Sequence, residues 1–326
     1  MKADGRARSG CSEVALLGAT SHIAKGLICN LLRGGGSRLH LYTRSPGPLA
    51  RFLDATGNLA ADRCVVHPGY DDFPASRHEV IVNCVGVGTL RKSQDAVSGY
   101  FLVTEKYDNL VIENLRHNPE ALYVSLSSGV VYGRGHAAPV GEDSVNAIRV
   151  NHVAPQDYYA VARLNAEAKH RSLSGLNIVD LRLFSYFSRH IALDDGYFIT
   201  DVLDCVQKGT VLVTDEVNIV RDYAHPDDLF ALLRLCMRAG PINAAFDLTS
   251  AKPVEKQEIL DYFSTSYGLR YETRRTLDHG SATGQKNVYC SNYLNAAAIG
   301  YRPAFTSMDT IQREARCILR GGGADL

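Results

Sequence analysis

The chain has 326 residues, 45% of them apolar, enough to bury the core of one large domain or two coupled ones. Its 35 basic residues balance 35 acidic ones, so no electrostatic footprint for nucleic acid or an anionic membrane surface is expected. No apolar run approaches the ~20 residues that cross a bilayer, and residues 1–10 lack the apolar stretch of a secretory signal, which predicts a cytoplasmic globular protein.

The first half alternates β-branched runs with helical spacing. Strands are predicted over 13–17, 39–43, 64–67, 80–85, 122–126 and 178–184, and helices over 23–32, 49–53, 97–115 and 155–172. This alternation implies parallel βαβ units and a doubly wound α/β sheet of Rossmann type, and the largely apolar strands suit a sheet covered on both faces. Beyond 184 the pattern loosens, with a returning strand over 244–248 and helices over 226–237, 254–266 and 308–319. The expected division is a dinucleotide-binding domain of 1–184 plus 221–248 and a smaller substrate-binding lobe of 185–220 plus 249–326. The glycines at 321–323 read as a frayed tail. Eight cysteines lack any CxxC pairing and read as reduced, mostly buried residues; no His/Cys spacing suits zinc, so no metal is expected.

The run Val14-Ala15-Leu16-Leu17 leads directly into Gly18-Ala19-Thr20-Ser21-His22-Ile23-Ala24 and a helical stretch. A strand ending in a glycine turn that opens a helix aims free N–H groups and the helix dipole at a phosphate. The backbone of Gly18, Thr20, Ser21, His22 and Ile23 is the expected cradle. Ser21 and Ala24 stand where fuller fingerprints carry glycine, and both are small. At the end of the second strand an acid would accept from the adenosine ribose. The sequence there is Thr43-Arg44-Ser45, and Arg44 matches a 2′-phosphate, which favours NADP over NAD unless Arg44 is a solvated loop residue. Asp71 or Asp72, after the third strand, could meet the adenine amine.

Three further runs carry chemistry: Val124-Ser125-Leu126-Ser127-Ser128-Gly129-Val130-Val131-Tyr132-Gly133, then 158–167 beginning Tyr158-Tyr159, then Arg221-Asp222-Tyr223-Ala224-His225-Pro226-Asp227-Asp228. Together they resemble the extended short-chain dehydrogenase/reductase family, the NAD-dependent epimerase/dehydratase group, over nearly the whole chain. The resemblance implies that Ser128 bonds the reacting sugar oxygen and that Tyr159 is the general acid/base. Arg163 stands one helical turn later, where the family carries Lys. Arginine keeps the charge that favours a phenolate but not the compact geometry of an ammonium. Tyr158 is the competing tyrosine, but Ala162 follows it at that spacing. The resemblance also sets the backbone from Asn83 through Val85 to Gly86 beside the nicotinamide ribose, Ser185 in the loop lining nicotinamide and substrate, and Arg221 on the substrate pyrophosphate.

The implied substrate is a nucleotide-linked sugar. Family dehydratases carry Asp-Glu after the active-site hydroxyl residue, whereas Gly129-Val130 stands here, which disfavours elimination. With Arg44, a ketosugar-nucleotide reductase using NADPH leads, an epimerase that retains its dinucleotide follows, and a non-catalytic NADP-binding sensor is the alternative from another class. Relatives commonly form homodimers through the helices predicted here at 97–115 and 155–172.

Overall fold

The computed structural model describes residues 12–57, 62–87, 96–134, 136–275 and 287–320. Residues 1–10, Cys11 and the glycines at 321–323, singled out above, lie outside the described residues. In chain order the elements are β1 (Ser12–Leu17), α1 (His22–Gly34), β2 (Ser37–Thr43), α2 (Pro46–Ala55), β3 (Cys64–Pro68), β4 (Val80–Asn83), α3 (Ala96–His117), β5 (Leu122–Ser128), α4 (Pro155–Ser172) and β6 (Ile178–Leu183). There follow β7 (Ser185–Tyr186), α5 (Phe198–Lys208), β8 (Val211–Asp215), β9 (Val220–Arg221), β10 (Tyr223–Ala224), α6 (Pro226–Arg238), β11 (Asn243–Leu248), β12 (Val254–Glu255), α7 (Lys256–Tyr267), β13 (Arg270–Arg274), β14 (Val288–Tyr289) and α8 (Ser307–Leu319).

Seven of these strands form one parallel sheet in the order β11-β6-β5-β4-β1-β2-β3. This is the Rossmann arrangement the alternating pattern predicts. The order reverses between β1 and β4, and in such sheets ligands sit at the carboxyl ends of the two strands flanking that switch point. All seven residues of β5 are buried, as expected for a central strand covered on both faces. The apolar cluster on one face joins β-strand residues such as Leu16, Leu41 and Val124 to Leu27 and Ile28 of α1 and to Leu229 and Leu232 of α6. On the other face Ile81 and Tyr123 meet Val111 and Leu115 of α3.

A separate cluster, built on Phe187, Val202, Leu203, Ile259, Phe263 and Ile311, joins α5, α7 and α8. Its short strands form small sheets of their own, β12-β9-β14 and β13-β8. The segment read as a helix over 254–266 in fact begins as strand, because Val254–Glu255 pairs antiparallel with β9 before α7 starts at Lys256. β4 also stops at Asn83, two residues short of its predicted end, because the Asn83 side chain turns back to accept from Val85 N at 3.0 Å. Helix α5 lies outside the predicted elements altogether.

Candidate active site

The turn after β1 is built around Gly18, whose φ of +72° only glycine adopts without strain. A Cβ at this position would lie 3.0 Å from the carbonyl carbon of Cys84 and from the amide nitrogen of Val85, so the turn is pressed against the exit of β4. Ser21 is more than a small substitute for glycine. Its hydroxyl accepts from Ala24 N at 3.1 Å and caps α1. His22 and Ile23 then occupy the first two helical positions, where N–H groups have no intrahelical acceptor and face any anion at the helix end.

His22 reads as a loop residue in the sequence but opens α1. Its ring packs edge-on to Tyr186 with centroids 5.4 Å apart, and burial lowers it to about 4. It is therefore neutral near pH 7 and adds no charge at this end of α1, where the helix dipole is positive. His225 caps α6, its Nδ1 accepting from Asp227 N at 3.1 Å.

Arg44 and Asp71 line a cavity of about 390 Å³ at the ends of β2 and β3, together with Tyr70, Lys106 and Tyr107. Asp72 instead precedes the short 3₁₀ turn Phe73–Ala75, which favours Asp71 for the pocket. The Tyr70 hydroxyl accepts from Gly18 N at 3.2 Å, joining this cavity to the glycine turn. Lys106, on α3, is a second cation beside Arg44 that no local motif announced.

Ser128 closes β5. Its hydroxyl accepts from Val130 N at 3.4 Å and lies 3.1 Å from the hydroxyl of Tyr289. Tyr289 pairs in register with Arg221 across β14 and β9, so Ser128 and Arg221 are brought to one place by a residue absent from the sequence reading. Burial, with Tyr159 adding to it, holds the Tyr289 phenol well above its ordinary range despite the bond to Ser128. Tyr159 lies on α4 with its ring centre 5.0 Å from that of Tyr100. The Arg163 guanidinium carbon lies 5.4 Å from the Tyr159 ring centre. A Cβ on Gly86 would come within 3.5 Å of the Arg163 Nη2, so this arginine bridges the tyrosine and the exit of β4. The Arg163 Nε is buried without a hydrogen-bond partner among the described residues. Tyr158 turns towards Phe101 instead.

The Asn83 amide is held by the protein, donating to Tyr123 Oη at 3.2 Å and accepting from Val85 N. Ser185, in β7, pairs with Tyr223 of β10, and its N–H donates to the Asp222 carbonyl at 3.0 Å, which draws it beside the 221–224 run. The acids of that run hold backbone together. Asp222 accepts from Ser250 N at 2.8 Å, and Asp228 accepts from Ala304 N at 2.8 Å and Phe305 N at 3.2 Å. Gly129 has no room for a side chain, since a Cβ would fall 2.5 Å from the Phe184 ring.

The sequence profile of the NAD dependent epimerase/dehydratase family matches residues 14–248. The chain belongs to this family. As a family member it is an enzyme of the oxidoreductase/epimerase kind whose cofactor is a nicotinamide dinucleotide. Among solved structures, the UDP-glucose-4-epimerase from Stenotrophomonas maltophila, with bound NAD and formylated UDP-arabinopyranose, superposes with a TM-score of 0.79 at 16% identity, covering 95% of this chain and 98% of that one. The UDP-N-acetylglucosamine 4-epimerase from Methanobrevibacter ruminantium M1 gives 0.76 at 14% identity, covering 95% and 99%. A dTDP-glucose 4,6-dehydratase from Bacillus anthracis in complex with NAD gives 0.75 at 14%, covering 95% and 97%. No curated protein matches the chain in sequence.

The residues fit the family's cofactor. The Gly18 turn is a cradle that a Cβ would fill, α1 presents two amides without acceptors, and Arg163 carries an orphaned buried nitrogen beside the β4 exit. Among the described residues no helix is long and apolar enough to cross a membrane.

Proposed function

We propose that the protein is an NADP-dependent reductase acting on a keto carbon of a nucleotide-linked sugar, with Tyr159 as proton donor. The observation that carries this reading is the gathering of Ser128 and Tyr159 about Tyr289, with Arg163 between Tyr159 and the β4 exit, and of Arg44 and Lys106 in one cavity at the ends of β2 and β3. The bound nicotinamide supplies hydride transfer. Tyr159 gives its phenolic proton to the substrate oxygen, and the Ser128 hydroxyl donates a hydrogen bond to the same atom. The Arg163 charge favours the phenolate left behind. Arg221 and Ser185 belong to the substrate side, Arg221 meeting the pyrophosphate. The filled space at Gly129 argues against a family dehydratase, which needs an acid there.

The adenosine end supports NADP over NAD through charge. Two cations against the single Asp71 carboxylate suit a 2′-phosphate better than a ribose hydroxyl. The second reading is a nucleotide-sugar epimerase, favoured by neighbours whose own structures hold NAD and UDP-sugars. Two further inferences accompany the first. The cluster joining α5, α7 and α8 is the substrate lobe, with 185–220 and 249–326 contributing to it, although Tyr223 of the other division also packs there. The protein is a homodimer that meets its partner through α3 and α4, where Leu102 is 67% and Leu164 40% exposed.

Incubation with NADPH and a panel of 4-keto nucleotide sugars tests the reaction. Oxidation of NADPH supports the reductase. Isomerisation of an unoxidised nucleotide sugar with no net oxidation replaces it with the epimerase. Tyr159→Phe should lower turnover by about 10²–10⁴-fold while still binding dinucleotide, and Arg163→Lys should retain much of it. Indifference to both substitutions would leave only the sensor.

A further inference from the structure

Beneath the cleft runs a buried chain of hydrogen bonds that none of these roles uses. Both ring nitrogens of His170, on α4, face carboxylates: Nε2 lies 2.7 Å from Asp108 Oδ1 of α3, and Nδ1 lies 2.9 Å from Asp180 Oδ1 of β6. Carboxylates only accept, and a neutral imidazole has a single N–H, so this geometry requires the imidazolium. Burial alone would lower the pKa of His170, but the bonds to Asp108 and Asp180 outweigh it and raise it to about 9. Asp108 Oδ1 also accepts from the Tyr123 hydroxyl of β5 at 2.8 Å, and Tyr123 Oη accepts from Asn83 Nδ2 at 3.2 Å. That orientation turns Asn83 Oδ1 towards Val85 N, which shapes the exit of β4.

The other groups around the imidazole are charged or dipolar. Lys169 pairs with Asp108, Arg171 Nη2 lies 2.8 Å from Asp180 Oδ2, and Asn243 of β11 donates to the His170 carbonyl at 2.9 Å. The Tyr123 ring meets the imidazole edge-on at 5.4 Å. One proton thus ties together two segments that meet at Gly86 and Arg163. Helix α4 carries Tyr159 and Arg163, and the β4 exit carries Val85 and Gly86, the latter against the Arg163 guanidinium.

We propose that the proton on His170 positions both segments of the dinucleotide site, through α4 directly and through Asp108, Tyr123 and Asn83 to the exit of β4. His170 is a positioning residue, buried and away from any ligand. The proposal rests on the cleft being the dinucleotide site argued above. Loss of the proton sets a nitrogen lone pair against a carboxylate and lets α4 and the β4 exit drift apart.

The test is NADPH affinity, followed by its fluorescence, across about pH 7 to 10, beside Tm and the 13Cε1 signals of labelled histidines. Wild-type Kd should rise about tenfold with a midpoint near 9, and the histidine signal missing from His170→Gln should move with the same midpoint. His170→Gln should bind weakly with no such step. Should that variant not fold, Tyr123→Phe keeps the imidazolium between its carboxylates but cuts the path to Asn83, and it should bind NADPH about three- to tenfold more weakly near neutrality. A Kd that stays flat while Tm falls towards pH 10 overturns the proposal and leaves a purely structural brace. The same step persisting in His170→Gln also overturns it. Failure to bind NADPH or NADH at any pH is a different result, since it removes the dinucleotide site itself and the proposal with it.

Discussion

Arg44 and Lys106 come to one cavity from distant parts of the chain, the first from the end of β2 and the second from the middle of α3. Each is exposed, so each charge is screened and neither alone would decide between NADP and NAD. On the proposed NADP reading the two together outweigh Asp71. The expected outcome for Lys106→Gln is NADPH binding weakened about three- to tenfold with NADH binding unchanged, a loss typical of one charge-assisted contact. Titration of both nucleotides against wild type and variant checks it. Equal weakening for both would mean that Lys106 supports the fold of the pocket and does not read the phosphate. Arg44 was marked out in the sequence because an acid is expected at the end of β2 and none stands there. Lys106 was not, since a lysine on a helix surface carries no local signal of what lies above it.

The elements show the same division between local and non-local information. Helix α4 runs over the predicted residues because Pro155 sits in its first turn and Asp157 accepts from Ala154 N at 3.0 Å, both written in the local sequence. The β1 turn was legible for the same reason, through Gly18. The two-residue strands β9, β12 and β14 are held by pairing between segments far apart in sequence, and two residues show no periodicity. Hence Tyr289 could not be placed beside Ser128 beforehand, and the start of the 254–266 segment was misjudged. Helices α3 and α4 pack against one another yet leave Leu102 and Leu164 on the outside. With both changed to Glu, the proposed homodimer should give way to a monomer in sedimentation with the circular dichroism unchanged, because two buried carboxylates without partners cost more than such an interface returns. Persistence of the dimer would assign assembly to another face.

Over the whole molecule the buried histidines pull stability in opposite directions, which sets a pH optimum. The folded state raises His170 to about 9 from an unfolded value near 6.5, so its contribution is complete below about 6.5 and is lost as pH rises through 9. The side chain is fully buried, and a shift of this size corresponds to something on the order of 3 kcal/mol. Burial lowers His22, His78 and His190 to about 4 each, so their contributions are present above 6.5 and lost as pH falls through 4. Asp222, which burial pushes up to about 6, works the other way in the acid range, since its neutral form is the favoured one. Burial raises Asp228 and Asp247 in the same sense, but it lowers His67 and His225 as well, and Asp108 and Glu314, both held below the ordinary carboxylate range, add to the acid loss. Urea midpoints measured from about pH 4 to 10 should therefore peak near 6.5 and fall on both sides. His170→Gln should flatten the decline between about pH 6.5 and 9 and leave the acid side in place, while the buried thiols of Cys84 and Cys236, both raised by burial, keep a decline above about 9. An optimum displaced to the alkaline end, with no decline through pH 9, would mean that His170 is not the imidazolium its two carboxylate neighbours require.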